Sequence, residues 1–257
     1  MKVTVIDTGR ANLLSVQRAL AYCGAVPELT GDPAAVLAAE ALVLPGVGAF
    51  GDGMAELRRR GLAEAICRRV GQGAPLLGIC LGMQMLFDGS DEFGPHEGLG
   101  LIPGWVRRLP AADAAGAPQR VPHIAWEPLL PGPGRADFAG TALQSVPDGG
   151  ECYFIHSYAA EPADDAFRLA DCLYGGRRVA PRRRGGGCLA PSSTPKNPGR
   201  WVLASCTIFW LCAAAAIVEV PNLHLRQQES IKPEKSAFYP FTNRTECCII
   251  QTMRLNF

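Results

Sequence analysis

The segment Pro75-Leu-Leu-Gly-Ile-Cys80-Leu-Gly-Met-Gln-Met-Leu-Phe87 constrains the fold most, because an apolar run of strand character turns into a helical pattern with no loop between them. Glycines at 78 and 82 flank Cys80 symmetrically and leave room for a tight strand-to-helix turn, the thiol counterpart of a G-x-S-x-G nucleophile elbow. A side chain at the apex of such a turn stands clear of the sheet. The unsatisfied N–H groups of a helix start also favour thiolate over thiol. The plain alternative is a buried structural cysteine, the commoner fate of a lone thiol. The paired glycines and the change of period favour a nucleophile.

A strand that feeds a helix in this way belongs to a sheet covered by helices, and the first 180 residues repeat the theme. Strands are predicted at Val3 to Asp7, Ala41 to Leu44, Leu76 to Ile79, Cys152 to His156 and Phe167 to Leu173. Between them, Asn12 to Cys23 carries Leu13, Val16 and Leu20 on one face, and Asp32-Pro33 reads as an N-cap followed by proline at the first helical position. Met54 to Val70 reads as one amphipathic helix. The layout is α/β, a doubly wound, mostly parallel sheet of flavodoxin-like type.

The pattern breaks near residue 180. Pro181-Arg-Arg-Arg-Gly-Gly-Gly187 opens a stretch of Arg, Pro, Ser and Gly that reaches Arg200 and holds too few apolar residues for a core. From Cys172 through Val218 there are seven basic residues and no acidic one. Residues 1–180 therefore read as one domain, incomplete at its C-terminal end, and 181–257 as an unrelated tail, disordered or out of frame. Trp201 to Val218 carries no charge over eighteen residues, the minimum for a membrane span, but four consecutive alanines dilute its hydrophobicity. A net charge of +1 points to neither nucleic acid nor a membrane surface as partner. Of the ten cysteines, Cys23, Cys67, Cys80, Cys152 and Cys172 are scattered, and Cys188, Cys206, Cys212, Cys247 and Cys248 crowd the last third. Neither set has zinc-site spacing or the look of a disulfide framework. Met1 leads straight into Lys2-Val-Thr-Val-Ile-Asp7 without a secretory leader, so the expectation is a cytoplasmic chain.

Six segments in order resemble one family. The Cys80 motif is similar to that of class I glutamine amidotransferases. Asp7-Thr-Gly-Arg-Ala-Asn12-Leu-Leu-Ser15, Pro45-Gly-Val-Gly-Ala-Phe50, Gly98-Leu-Gly-Leu-Ile-Pro-Gly104, Pro122-His-Ile-Ala-Trp126 and Phe154-Ile-His-Ser-Tyr158 look like the glutaminase subunits of imidazole glycerol phosphate synthases. The resemblance implies that Cys80 attacks the glutamine side-chain amide, forms a glutamyl thioester and releases ammonia. It also implies a heterodimer with a (β/α)8-barrel cyclase, in histidine biosynthesis, with no metal or organic cofactor.

Each motif also has its own physical reading. Gly46, Val47 and Gly48 follow an apolar strand, where glycines let backbone N–H groups approach a substrate oxygen as an oxyanion hole requires. The same residues, as Gly46-x-Gly48-x-x-Gly51, match a dinucleotide fingerprint, but the preceding proline and the lack of a strand-end acid downstream argue against it. Gln84 falls on the same helix face as Cys80 and resembles the residue that holds glutamine; otherwise it is a surface glutamine. His156, Ser157 and Tyr158 end a strand, where binding residues of open α/β sheets collect, and the resemblance assigns them to the glutamine α-amino and carboxylate groups. Tyr158 reads equally well as core. Asn12 either braces the oxyanion loop or caps the first helix.

The chain departs from the family at Ala11 and Ala125, where glycine is usual, and at Glu127, where asparagine is usual. A larger departure lies downstream. A thiol nucleophile needs a base, and a carboxylate to orient that base. The family takes both from a His-Pro-Glu-Lys-Ser segment, which this chain lacks. Beyond His96, His123 and His156 the last histidine is His224, with no Pro-Glu after it. Lys232-Pro-Glu-Lys-Ser236 is a near match, but a lysine of pKa about 10.4 stays protonated at neutral pH. The expectation is a glutaminase subunit with impaired turnover. The alternatives are a non-catalytic partner-binding remnant or another thiol-dependent amidotransferase.

Overall fold

The computed structural model describes residues 1–9, 11–141, 143–144, 146–147, 149–179 and the short strands 201–202 and 216–218. The first half runs β1 (Lys2–Ile6), α1 (Leu13–Tyr22), β2 (Val26–Thr30), α2 (Pro33–Ala38), β3 (Leu42–Gly46), α3 (Phe50–Arg59), α4 (Leu62–Gly71), β4 (Leu76–Cys80) and α5 (Leu81–Gln84). The strands β2, β1, β3 and β4 lie side by side and parallel, in that order.

Alternation along these strands feeds two cores. Ile6, Leu42, Leu44 and Leu76 pack with Val36, Leu57, Leu62 and Ile66 of α2 to α4. Val3, Val5, Val43 and Leu77 pack with Leu20 of α1. Helices therefore cover both faces, as the sequence implies for a doubly wound sheet. Asn12 caps α1, its Oδ1 accepting from the Ser15 N–H at 3.4 Å, and Asp32 caps α2, accepting from the Ala34 N–H at 3.0 Å.

The single helix expected over Met54 to Val70 is two. Gly61 adopts a left-handed φ of 68° after Arg60, which ends α3 and starts α4 at a new angle. The apolar period survives this break because each piece buries its own stripe: Phe50, Met54 and Leu57 from α3, and Leu62, Ala65, Ile66 and Val70 from α4.

The second half is mostly antiparallel, with one parallel pair between its first and third strands. It comprises β5 (Phe87–Ser90), β6 (His96–Glu97), β7 (Ile102–Arg108), β8 (His123–Pro128), β9 (Leu130–Pro131), β10 (Glu151–His156), β11 (Tyr158–Pro162), β12 (Ala170–Tyr174) and β13 (Arg177–Val179). Cys152 to His156 is a strand, as expected, but it pairs antiparallel with β8 and lies outside the parallel sheet. The strand expected from Phe167 starts only at Ala170. A short 3-10 turn at Asp165–Phe167, capped by Asp164, occupies the intervening chain, and Arg168 is then held by Asp165 and Asp171. The Gly98 to Gly104 motif is a packing device: a Cβ on Gly98 would run into the Phe87 carbonyl, and one on Gly104 into Glu161. These close approaches seat β5, β7 and β11 against one another.

The outer edge of β4 is paired. β14 (Trp201–Val202) and β15 (Ala216–Val218) form an antiparallel pair, and β15 bonds antiparallel to β4 with Ala216 opposite Gly78. The β4 edge is thus covered over part of its length by later chain. The rest of the Trp201 to Val218 span lies outside the described residues, as do His224 and the Lys232 to Ser236 near match. Among the described residues no helix is long and apolar enough to cross a membrane.

The tightest contact in the parallel sheet is at Gly82, where a Cβ would fall well inside the van der Waals envelope of the Leu44 carbonyl. Gly82→Ala is expected to cost more than about 3 kcal/mol or abolish folding. Gly71→Ala, where nothing lies within 4 Å, should be neutral or stabilising by about 0.4–1 kcal/mol. Urea denaturation of the two variants checks this.

Candidate active site

Cys80 is the last residue of β4 and immediately precedes α5. Its backbone sits at φ 56° and ψ −119°, one of two non-glycine residues with positive φ among those described. A Cβ-bearing residue in this region stores about 1–3 kcal/mol of strain. The surrounding packing holds it there. A Cβ on Gly78 would lie 2.6 Å from the Met83 Cα, so both flanking glycines are fixed by backbone approach. The elbow expected from the sequence is present, and its helix is a single turn of four residues. The dipole contribution expected at a helix start is correspondingly small.

The glycine loop lies beside it. Gly46 ends β3 directly opposite Cys80 in the strand register, and a Cβ on Gly46 would come within 3.0 Å of the Gly82 nitrogen. Val47 is half exposed, and Gly48 takes a φ of 98°. The loop then enters α3, whose cap residue Ala49 supplies no side-chain bond. Glu92 does so from a distant turn, its Oε2 accepting from the Phe50 N–H at 2.7 Å. Gly51 is small for packing reasons, since a Cβ there would meet the His96 ring at 2.7 Å.

Gln84 and the His156-Ser157-Tyr158 turn are brought together. The Tyr158 carbonyl accepts from Gln84 Nε2 at 3.3 Å and from His156 Nδ1 at 2.9 Å. A carbonyl only accepts, so the amide nitrogen of Gln84 faces it and Oε1 is left for another donor. His156 itself is buried, and its second ring nitrogen, Nε2, faces His123 Nδ1 at 3.2 Å. Burial pulls both imidazoles down to about 4, so both are neutral at pH 7; the Tyr158 carbonyl opposes that shift at His156, and His123 adds to it. With both nitrogens engaged, His156 reaches the site through the Tyr158 carbonyl. Asn12 acts as the cap of α1, one of the two roles open to it.

Three features were not singled out in the sequence. Glu92 gives no pattern signal, because its partner lies 42 residues away. The pairing of His123 with His156 follows from the antiparallel register of β8 and β10, which places the two residues opposite each other. The Gln84 to Tyr158 bond spans 74 residues.

Comparison with known proteins bears on this geometry. The family description glutamine amidotransferase class-I matches residues 4–184. The chain is 44% identical over 178 residues to the imidazole glycerol phosphate synthase subunit HisH 1 of Legionella pneumophila (strain Lens), covering 69% of this chain and 84% of that protein. It is 44% identical over 173 residues to the HisH subunit of Moorella thermoacetica, covering 67% and 77%.

The chain belongs to the class I glutamine amidotransferase family.

A crystal structure of a glutamine amidotransferase aligns with 69% of this chain and 82% of its own, at 20% identity and a TM-score of 0.49. In this family the elbow is the element to test for stored strain. Cys80→Gly removes the Cβ that makes φ 56° costly, so it should be more stable than Cys80→Ala by about 1 kcal/mol in thermal or denaturant unfolding.

Proposed function

We propose that residues 1 to about 180 form a glutaminase domain that hydrolyses glutamine to glutamate and ammonia through a thioester on Cys80. The observation that carries this reading is the strained Cys80 elbow opposite Gly46, with Gln84 tied to the Tyr158 carbonyl one helical turn away. The Cys80 thiol gives up its proton as its sulfur adds to the side-chain amide carbon, the C–N bond breaks, and the nitrogen leaves as ammonia carrying that proton. Water then cleaves the thioester to give glutamate. Backbone N–H groups of Gly46, Val47 and Gly48 face the developing oxyanion. Gln84 Oε1, with Ser157 and Tyr158, holds the substrate, and Asn12 supports the adjoining loop by fixing the start of α1.

Ammonia from this site goes to a cyclase subunit with a (β/α)8 barrel that makes imidazole glycerol phosphate in histidine biosynthesis. The relatives' names describe subunits, which supports a heterodimer. A surface for such a partner exists on the β8–β10 ribbon. Ile124 and Trp126 are exposed at 54% and 45%, and Ile155 and Tyr153 lie opposite them in the register. An apolar face of this kind on an otherwise mixed surface fits protein docking.

Residues 181–257 are proposed to be unrelated to the family domain. The triad histidine and glutamate are missing from their expected place, and of the three described histidines His123 and His156 are committed to each other. That commitment favours a second reading, a partner-binding subunit with little turnover of its own.

A halomethyl ketone analogue of glutamine separates nucleophile from bystander thiol, because the thiolate displaces halide to form a stable thioether. One adduct per chain is expected, on Cys80, absent in Cys80→Ala and about tenfold slower in Gln84→Ala, where a substrate hydrogen bond is lost. Peptide mass mapping reads it. Labelling spread over the other cysteines, or none at all, would reject the nucleophile assignment.

A further inference from the structure

His123 is fully buried, stacked between Phe154 and Tyr174 with ring centroids 5.3 and 3.9 Å away, and its Nε2 has no hydrogen-bond partner. An orphaned polar atom at such a site carries a desolvation cost, so it calls for a partner. The hydrogen-bond chain fixes what that partner must be. The Tyr158 carbonyl accepts, so His156 Nδ1 carries a proton. In a neutral ring His156 Nε2 is then a lone pair, and it must receive the proton of His123 Nδ1. That leaves His123 Nε2 as a bare acceptor. The group facing it is Glu127 Oε1, 3.6 Å away on the same strand, beyond hydrogen-bond reach but on a side chain only 27% exposed. An ionised carboxylate facing an imidazole lone pair puts two acceptors together. One proton between them satisfies both.

We propose that Glu127 and His123 are positioning residues of the glutamine site: they share one proton, which locks the His123–His156 pair in the tautomer that donates to the Tyr158 carbonyl and, through that carbonyl, holds the carboxamide of Gln84. The proposal rests on the reading of Gln84 as a substrate-holding residue. The lock is a carboxylic acid of Glu127 donating to Nε2 of neutral His123, whose Nδ1–H still points to His156.

The surroundings of Glu127 favour retaining the proton. Burial raises its pKa first, and the neighbouring carboxylate of Glu151 on β10 raises it further. Cys152 stands opposite Glu127 in the β8–β10 register. From β12, the Cys172 thiol is pushed up by burial and by the nearby Glu127 carboxylate, so it stays protonated and neutral. Asp171, next to it, is neutralised by Arg168 and Arg178. No basic side chain other than His123 pairs with Glu127 among the described residues. The sign follows: the shared proton is present at low pH and is lost as pH rises through the elevated pKa of Glu127, and the lock opens with it.

Two measurements on the full chain test this. Long-range 15N NMR of histidine-labelled protein at pH 7 should show His156 and His123 both protonated at Nδ1. Protonation of His156 at Nε2 instead would overturn the proposal. Glutamine affinity measured calorimetrically from acid to alkaline pH should weaken about three- to tenfold for the wild type as Glu127 loses its proton, the value of one hydrogen bond. Glu127→Gln donates an amide proton to His123 at every pH, so its profile should stay flat at the low-pH affinity. The ligand titrates identically in both proteins, so the difference between profiles belongs to Glu127. Parallel profiles overturn the proposal. If neither protein binds glutamine at any pH, the substrate reading of the site fails, and the tautomers still decide the lock.

Discussion

The fold is organised around one backbone contact, the approach of Gly82 to the carbonyl of Leu44. It lets α5 begin directly at the end of β4, with no loop, and it presses the elbow against the end of β3. Cys80 absorbs the resulting bend at φ 56°. Strain of this kind persists only where neighbours over-determine the conformation. Here they do, because Gly78 meets the Met83 backbone, Gly46 meets the Gly82 nitrogen, and Leu81 and Met83 are buried in the main core. The same contact that shapes the Cys80 turn also places the glycine loop beside it, so thiol and loop are positioned by one packing event.

Much of this was legible in the sequence because it is local. The elbow, the Asn12 and Asp32 caps and the two-faced alternation of Val3, Val5 and Ile6 depend on neighbours within a few residues. Met54 to Val70 misled for a physical reason: a left-handed glycine at 61 breaks the backbone without breaking the apolar period. Cys152 to His156 was readable as a strand, but its partner was not, since antiparallel pairing with β8 is a long-range choice that short apolar runs do not encode. The site residues divide the same way. Gln84 could be placed on the Cys80 helix from spacing alone, whereas its bond to Tyr158 depends on how β11 docks against the elbow.

The antiparallel half contributes a buried polar chain to this arrangement. Through Phe154, Tyr174 and the His123–His156 pair, the β8–β10 ribbon reaches the Tyr158 carbonyl and so the elbow helix. One face of β8 turns His123 and Glu127 inward while the other exposes Ile124 and Trp126. Neutral, buried imidazoles serve here as directional hydrogen-bonding groups. Their commitment to each other also separates positioning from proton transfer, which a thiol nucleophile needs from a different base.

The central proposal is that Cys80 is the nucleophile of a glutaminase domain whose family His-Pro-Glu segment is missing from this sequence. The most direct test is steady-state ammonia release from glutamine by the full chain, mixed with a cyclase subunit. The account predicts a rate roughly three or more orders of magnitude below that of family members carrying the complete triad, as expected when one member of a unit that acts together is lost. A rate equal to theirs would contradict it.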